Sequence, residues 1–201
     1  MSSGWSVREE HDRAGTDRRN ELLAAARGAF EDLGYGATTI AQITDRAGVS
    51  RATFYVYFAS KNEVFAVLAR EVRDRFEKAQ DVSDLAAEDV PSVLRHTIAT
   101  TLAVTAEHLA LMTVLDHQAL ADPEIKRMWG GIRHESVLRT ARYLERQAAA
   151  GRIQPAASAE ALALMGAGMN DRCAPLVADG SMRAEDAVAE MHAIWMACLR
   201  R

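Results

Sequence analysis

The sequence is poor in the residues that build disulfide frameworks, tight turns and catalytic centres. Only two cysteines occur in 201 residues, Cys173 and Cys198, each in a segment of helical periodicity. Two thiols cannot staple a small secreted scaffold, so reduced, packed side chains are expected. Four prolines are thinly spread, which leaves long stretches free to be helical. No apolar run approaches the ~20 residues that span a bilayer. The N-terminus lacks the apolar stretch of a signal peptide, so the chain is expected in the cytoplasm and away from membranes. The six histidines (His11, His96, His108, His117, His134 and His192) show no HExxH spacing. Neither a phosphate loop nor a Gly-x-Ser-x-Gly elbow is present. These absences nominate no catalytic residue, no metal ligand and no cofactor, and they argue against an enzyme.

What is present is an alanine-rich chain, 49% hydrophobic, whose apolar residues recur at helical spacing. The fold class is therefore all-α. The net charge of −4 at first argues against nucleic acid. Residues 1–75, however, hold eleven Lys/Arg and eleven Asp/Glu, so the deficit lies wholly in residues 76–201. Phosphate attraction acts locally under physiological screening. Between Arg46 and Asn62 stand three cations (Arg46, Arg51 and Lys61) and no acid.

The segment from Thr38 to Lys61 is the most informative. Thr38 or Thr39 can cap a short helix, because a hydroxyl oxygen there accepts an orphan backbone N–H. Ile40, Ile43 and Ala47 then form its buried stripe. Gly48 follows where a helix end needs a left-handed residue. Ser50 caps a second helix in which Phe54, Tyr57 and Phe58 face inward. That leaves Arg51, Ala52, Tyr55 and Val56 outward. Two helices around a three- or four-residue turn with glycine match a DNA-binding helix-turn-helix. Arg51 is the candidate for a base edge or a phosphate, since a guanidinium suits both. Tyr55 would give its hydroxyl to phosphate, and Thr38 or Thr39 a hydroxyl and a backbone N–H.

Arg18 to Phe76 resembles the N-terminal domain of the tetracycline-repressor (TetR) family along its whole length. Arg18-Arg19 leads to Leu22, Leu23, Ala26 and Phe30, then to Leu33-Gly34-Tyr35-Gly36-Ala37-Thr38-Thr39. Ala47-Gly48-Val49-Ser50 and Thr53-Phe54-Tyr55-x-Tyr57-Phe58-x-Ser60-Lys61 complete the pattern. Two positions depart from it. Thr44 stands where alanine is usual, so its hydroxyl needs a carbonyl one turn earlier. Val56 replaces a residue that is often histidine. The resemblance implies phosphate contacts from Thr53 and Lys61 and places Ala52 on the same DNA-facing surface.

The remaining chain is expected to divide into a disordered tail (1–16), the helix-turn-helix domain (17–62) and an effector-binding and dimerisation domain (63–201). Ser60-Lys61-Asn62-Glu63 is a capping box that opens a fourth helix through Val64, Phe65, Leu68, Val72 and Phe76. Pro91 and Pro123 suit first turns of later helices, and Gly130-Gly131 is expected to interrupt the segment after Trp129. Seven of eight methionines lie at or beyond Met112, and methionine adapts to irregular apolar space. Candidate effector contacts are His108, Leu111, Met112, Leu115, Trp129, Met165 and Met169, with His108 or Asn170 orienting a polar group. Val188, Met191, Ile194, Trp195 and Cys198 form an apolar stripe, and Ala161, Ala163, Gly166, Ala167 and Gly168 allow close helix approach. Either stripe also fits the core of a monomer. The resemblance implies a small apolar effector, a homodimer through these last helices (Ala161, Gly168, Val188, Met191 and Trp195), and double-stranded DNA with an inverted-repeat operator. It implies a repressor released by its effector; the alternative is an effector-independent regulator or an activator.

Overall fold

A computed structural model describes residues 3–83 and 89–200, with side chains described from Gly15 to Leu199. Contacts divide the chain into residues 1–70 and 71–201. The division falls inside the fourth helix.

The first unit holds α1 (Ser3–Ala37), α2 (Ile40–Ala47), α3 (Arg51–Tyr57) and the start of α4 (Lys61–Ala79). α1 begins at Ser3, inside the segment read from sequence as a tail. No proline interrupts residues 3–16. α1 breaks at Gly34, whose φ of 77° and ψ of 160° are accessible to glycine alone without strain. Leu22, Ala26 and Phe30 on α1 pack with Ile43, Phe54, Val64, Phe65 and Leu68, all fully buried or nearly so. Phe30 and Phe65 meet edge-to-face with ring centroids 5.2 Å apart, a favoured aromatic geometry.

The second unit contains the end of α4, then α5 (Val90–Glu107), α6 (Leu109–Ala121), α7 (Pro123–Ala149), α8 (Ala159–Ala178) and α9 (Ala184–Cys198). A two-residue antiparallel pair, β1 (Gln154–Pro155) with β2 (Leu199–Arg200), ties down its last residues. Leu94, Ile98, Leu102, Leu144, Leu162, Met191 and Trp195 form its core. Asp89 and Asp122 cap α5 and α7, and Pro91 and Pro123 sit in their first turns as expected. The expected interruption at Gly130-Gly131 is absent, and α7 runs through both. Each glycine costs about 1 kcal/mol in a helix interior, but the flanking residues are anchored. Trp129 is buried and donates from Nε1 to Asp116 at 2.6 Å, while Arg133 ion-pairs with Asp171 on α8. Tertiary packing overrides propensity.

Among the described residues, no single helix is long and apolar enough to cross a membrane. α5 and α6 have that length and composition only jointly, and they bend by 76° at their junction.

Candidate functional site

The first candidate is the exposed face of α2 and α3. Thr39 caps α2: its hydroxyl accepts from the Gln42 N–H at 3.3 Å, and the Gln42 side chain accepts from the Thr39 N–H at 2.7 Å. Gly48 closes α2 in the left-handed region with φ of 65°. Ser50 caps α3, accepting from the Thr53 N–H at 3.0 Å. The Thr44 hydroxyl donates within its own helix, 3.0 Å from the Ile40 carbonyl and 2.9 Å from that of Ala41. A buried hydroxyl at that position is thereby satisfied. Phe54 and Phe58 point inward, whereas Arg51, Ala52, Tyr55 and Val56 are exposed.

Local electrostatics are narrower than the sequence implies. Arg46 is neutralised by Asp32 at 2.6 Å. Arg51 has no ionic partner among the described residues and stands on the outward face of α3. Thr53 is half-buried, its hydroxyl 2.9 Å from that of Ser50.

Two residues read as DNA contacts are engaged within the fold. Thr38 is 1% exposed, and its hydroxyl donates to the Gly34 carbonyl at 2.8 Å, with that of Ala29 3.0 Å away. It closes α1. The Lys61 ammonium lies 2.7 Å from the carbonyls of both Tyr35 and Thr38 and 4.3 Å from the centre of the Tyr35 ring. Burial lowers its pKa. Its charge is committed to the carbonyl end of α1. The capping box at α4 forms in shifted register: Ser60 accepts from the Glu63 N–H at 3.2 Å, but the Glu63 carboxylate accepts from Ala59 at 2.7 Å.

The second candidate is a cavity of about 580 Å³ in the second unit. α5 contributes Leu94, Ile98 and Thr101; α7 contributes Ile132, Ser136 and Thr140. Phe76 and Gln80 reach it from the end of α4, and Met191 and Trp195 from α9. Space of this size suits a small organic molecule. Of the expected effector contacts, only Asn170 lines it. Leu111, Met112, Leu115 and Trp129 are buried away from it around α6 and α7. Met165 and Met169 pack against the core, and His108 is buried at the α5–α6 junction. The helical faces were correctly apolar, but they cover one another.

A polar node spans α4 and α7. Gln80 donates to the Ser136 carbonyl at 3.0 Å and the Thr140 hydroxyl at 3.2 Å, and it accepts from the Ser136 hydroxyl at 3.2 Å. The sequence reading missed this lining. Ile132, Ser136 and Thr140 repeat at i, i+4 and i+8, a stripe too polar for a core and too apolar for a solvated face.

The expected dimer residues also divide. Val188, Met191 and Trp195 are buried within the monomer, because their stripe meets α5 and α8. Ala161 and Gly168 are exposed on α8, in line with Leu164 at 63% and Leu176 at 40% exposure. On α9 the outward apolar residue is Ile194, 44% exposed.

Comparison with known proteins accounts for both units. The family model described as bacterial regulatory proteins, tetR family, matches residues 22–68. That of the C-terminal domain of transcriptional regulator EthR matches residues 94–199. The HTH-type transcriptional repressor AcnR of Corynebacterium diphtheriae is 31% identical over 142 residues, 68% of either chain. The HTH-type transcriptional activator FasR of Mycolicibacterium smegmatis is 49% identical over 57 residues, 28% of this chain and about a quarter of FasR (26%). Salmonella enterica GusR shares the fold with a TM-score of 0.75 at 17% identity, over 91% of this chain and 95% of its own.

Proposed function

This chain belongs to the TetR family of bacterial regulatory proteins, DNA-binding regulators of transcription and not enzymes, and on that premise we propose a homodimeric repressor released by a small molecule. Arg51 and Tyr55, both exposed on α3, are the groups that meet the operator, with Ala52 and Thr53 beside them and Thr39 at the start of α2. A dimer would set two recognition helices ~34–36 Å apart, facing successive major grooves of an inverted repeat.

The observation that carries effector control is where the cavity meets α4. Phe76 and Gln80 at one end of that helix line it, and Lys61 at the other end is bonded to the carbonyls of Tyr35 and Thr38. A ligand that displaces Phe76 or Gln80 acts on the helix that carries Lys61. Only a preference for the released state can weaken DNA binding; ~2–3 kcal/mol of preference gives ~30- to 150-fold. Asn170 on the cavity wall is the group that orients a polar function of the ligand.

The test is selection of fragmented genomic DNA by the purified protein, repeated with Arg51→Ala. One palindromic site enriched by the wild type and lost in the variant is the expected result. Ligand affinity equal for free and operator-bound protein would sink the release mechanism. Activation is the second reading, favoured by the name of the 49% identical relative.

A further inference from the structure

The cavity lining has a buried part and a partly exposed part, and the two differ in chemistry. Leu94, Ile98, Ala163, Gly166 and Met191 are buried and apolar. Only Asn170 and Trp195 bring side-chain nitrogen or oxygen to the buried part, and they are 7% and 3% exposed. Asn170 is largely engaged. The Thr105 hydroxyl donates to the Thr101 carbonyl at 2.9 Å, so its lone pairs face Asn170, and the group turned toward them is NH₂. The Asn170 oxygen is sealed off, with no surface that a ligand could reach. What remains is at most its second amide hydrogen.

Trp195 is different. Its Nε1–H meets no acceptor among the described residues, yet it is not sealed as the Asn170 oxygen is. In a residue so deeply buried, the accessible surface of that nitrogen belongs to the cavity it lines. The ring lies against α8, with Nε1 3.2 Å from where a Cβ on Gly166 would stand, so it cannot swing freely toward another partner. An indole N–H only donates, and an unpaired donor in low-dielectric surroundings is strongly disfavoured. The hydroxyls of Thr97 and Thr140 also line the cavity, but they are half-buried, and a hydroxyl donates or accepts as its partner requires. They impose no ligand class.

We propose that the cavity takes a neutral molecule with an apolar body and a carbonyl oxygen, a ketone or an ester, which accepts a hydrogen bond from Trp195 Nε1–H. This rests on the effector reading above. The buried part offers hydrogens and no reachable side-chain acceptor, so an alcohol or amine held there would leave its own hydrogens unpaired. None of its buried residues is charged, so an ionised carboxylate would be desolvated without a partner. A carbonyl accepts, donates nothing and carries no charge.

Three matched probes decide it: nonan-2-one, nonan-2-ol and sodium nonanoate, titrated calorimetrically into the full chain, Trp195→Phe and Ala167→Phe. Ala167 lines the cavity, and its enlargement fills it. The ketone is expected to bind about tenfold more tightly than either other probe, as one unpaired buried group implies. That preference should vanish in Trp195→Phe, and all binding should vanish in Ala167→Phe, checked for folding by circular dichroism. In nitrogen-15 spectra the indole signal that Trp195→Phe removes should move downfield when the ketone binds. If Trp195→Phe does not fold, downfield movement of one indole signal in the ketone-bound wild type still decides, because Trp129 already donates to Asp116. Alcohol or nonanoate binding as tightly as the ketone, or a ketone preference that survives Trp195→Phe, overturns the inference and leaves the effector cavity standing. Ketone binding that survives Ala167→Phe, or no binding by any probe, overturns it as well. The effector reading is judged apart. A bound ketone with its indole signal moved, but affinity for the selected operator unchanged in fluorescence anisotropy, sinks release and leaves the carbonyl site in place.

Discussion

The ammonium of Lys61 sits 2.7 Å from the carbonyl of Thr38, the residue whose own side chain is buried against α1. One cation thus holds the last carbonyls of α1 at the first turn of α4, where the helix dipole of α1 favours positive charge. Hydrogen bonds to charged groups contribute about 1.5–3 kcal/mol. Lys61→Ala should therefore lower the urea-unfolding free energy by roughly 2 kcal/mol. Unchanged stability with lost operator binding would instead assign the ammonium to phosphate.

Arg51 should behave in the opposite way. It is exposed on α3 with no ionic partner among the described residues, so Arg51→Ala should leave the melting temperature unchanged. Operator affinity should fall by about 1–3 kcal/mol, the magnitude of a guanidinium contact to a base or phosphate. Fluorescence anisotropy with a selected operator, beside a melting curve, reads both quantities. A fall in melting temperature of the same size as for Lys61→Ala would place Arg51 in the fold.

The contrast between these two residues marks what the sequence could and could not disclose. Caps and turns are local, so Thr39, Gly48 and Ser50 were legible where they stand, and the inward set Phe54 and Phe58 followed from spacing. The role of Lys61 was not, because its partners Tyr35 and Thr38 lie more than twenty residues away and are backbone atoms. The same limit applies to the cavity. Periodicity identifies an apolar helical face but not which neighbour covers it. Met112 and Leu115 were therefore assigned to a ligand when α6 and α7 bury them, and Ser136, Thr140 and Gln80 were passed over as merely polar. Val188 and Met191 are buried within the chain for the same reason.

Gly166 permits the close approach of α8 to α9. A Cβ there would lie 2.4 Å from Cζ2 of Trp195, a contact that real side chains do not make. Trp195 is buried and lines the cavity, so it cannot yield without reshaping that space. Gly166→Ala should destabilise the protein by about 1–3 kcal/mol, as overpacking does, and weaken binding of any cavity ligand. Wild-type Trp fluorescence and stability in this variant would contradict the packing described.

Tyr143 links stability to alkaline pH. Burial, aided by the Asp89 charge, pushes its phenol from 10.0 up to about 12. A raised folded-state value means that the native protein holds the proton more tightly than the unfolded chain. The contribution is complete below pH 10 and is lost as pH rises toward 12. Its size is at most about 2–3 kcal/mol. Unfolding free energies of wild type should fall through that window, whereas those of Tyr143→Phe should fall less. Parallel curves for the two proteins would show that Tyr143 ionises alike in both states.

The outward apolar residues of α8 and α9 carry the last prediction. Leu164, Leu176 and Ile194 are 63%, 40% and 44% exposed, and Ala161 and Gly168 share the α8 face with Leu164. Leu164 and Gly168 are one helical turn apart and also belong to the cavity lining. Burying one such leucine contributes about 1.5–3 kcal/mol. Leu164→Glu and Ile194→Glu should each convert the proposed dimer to a folded monomer in light scattering and lower operator affinity, because half-sites are then bound singly. Val188→Glu should behave differently: that residue is 8% exposed inside the monomer, and a buried unpaired carboxylate unfolds a domain rather than separating two. If Val188→Glu gave a folded monomer and Leu164→Glu a normal dimer, the subunits would pair through the stripe that the fold assigns to the core.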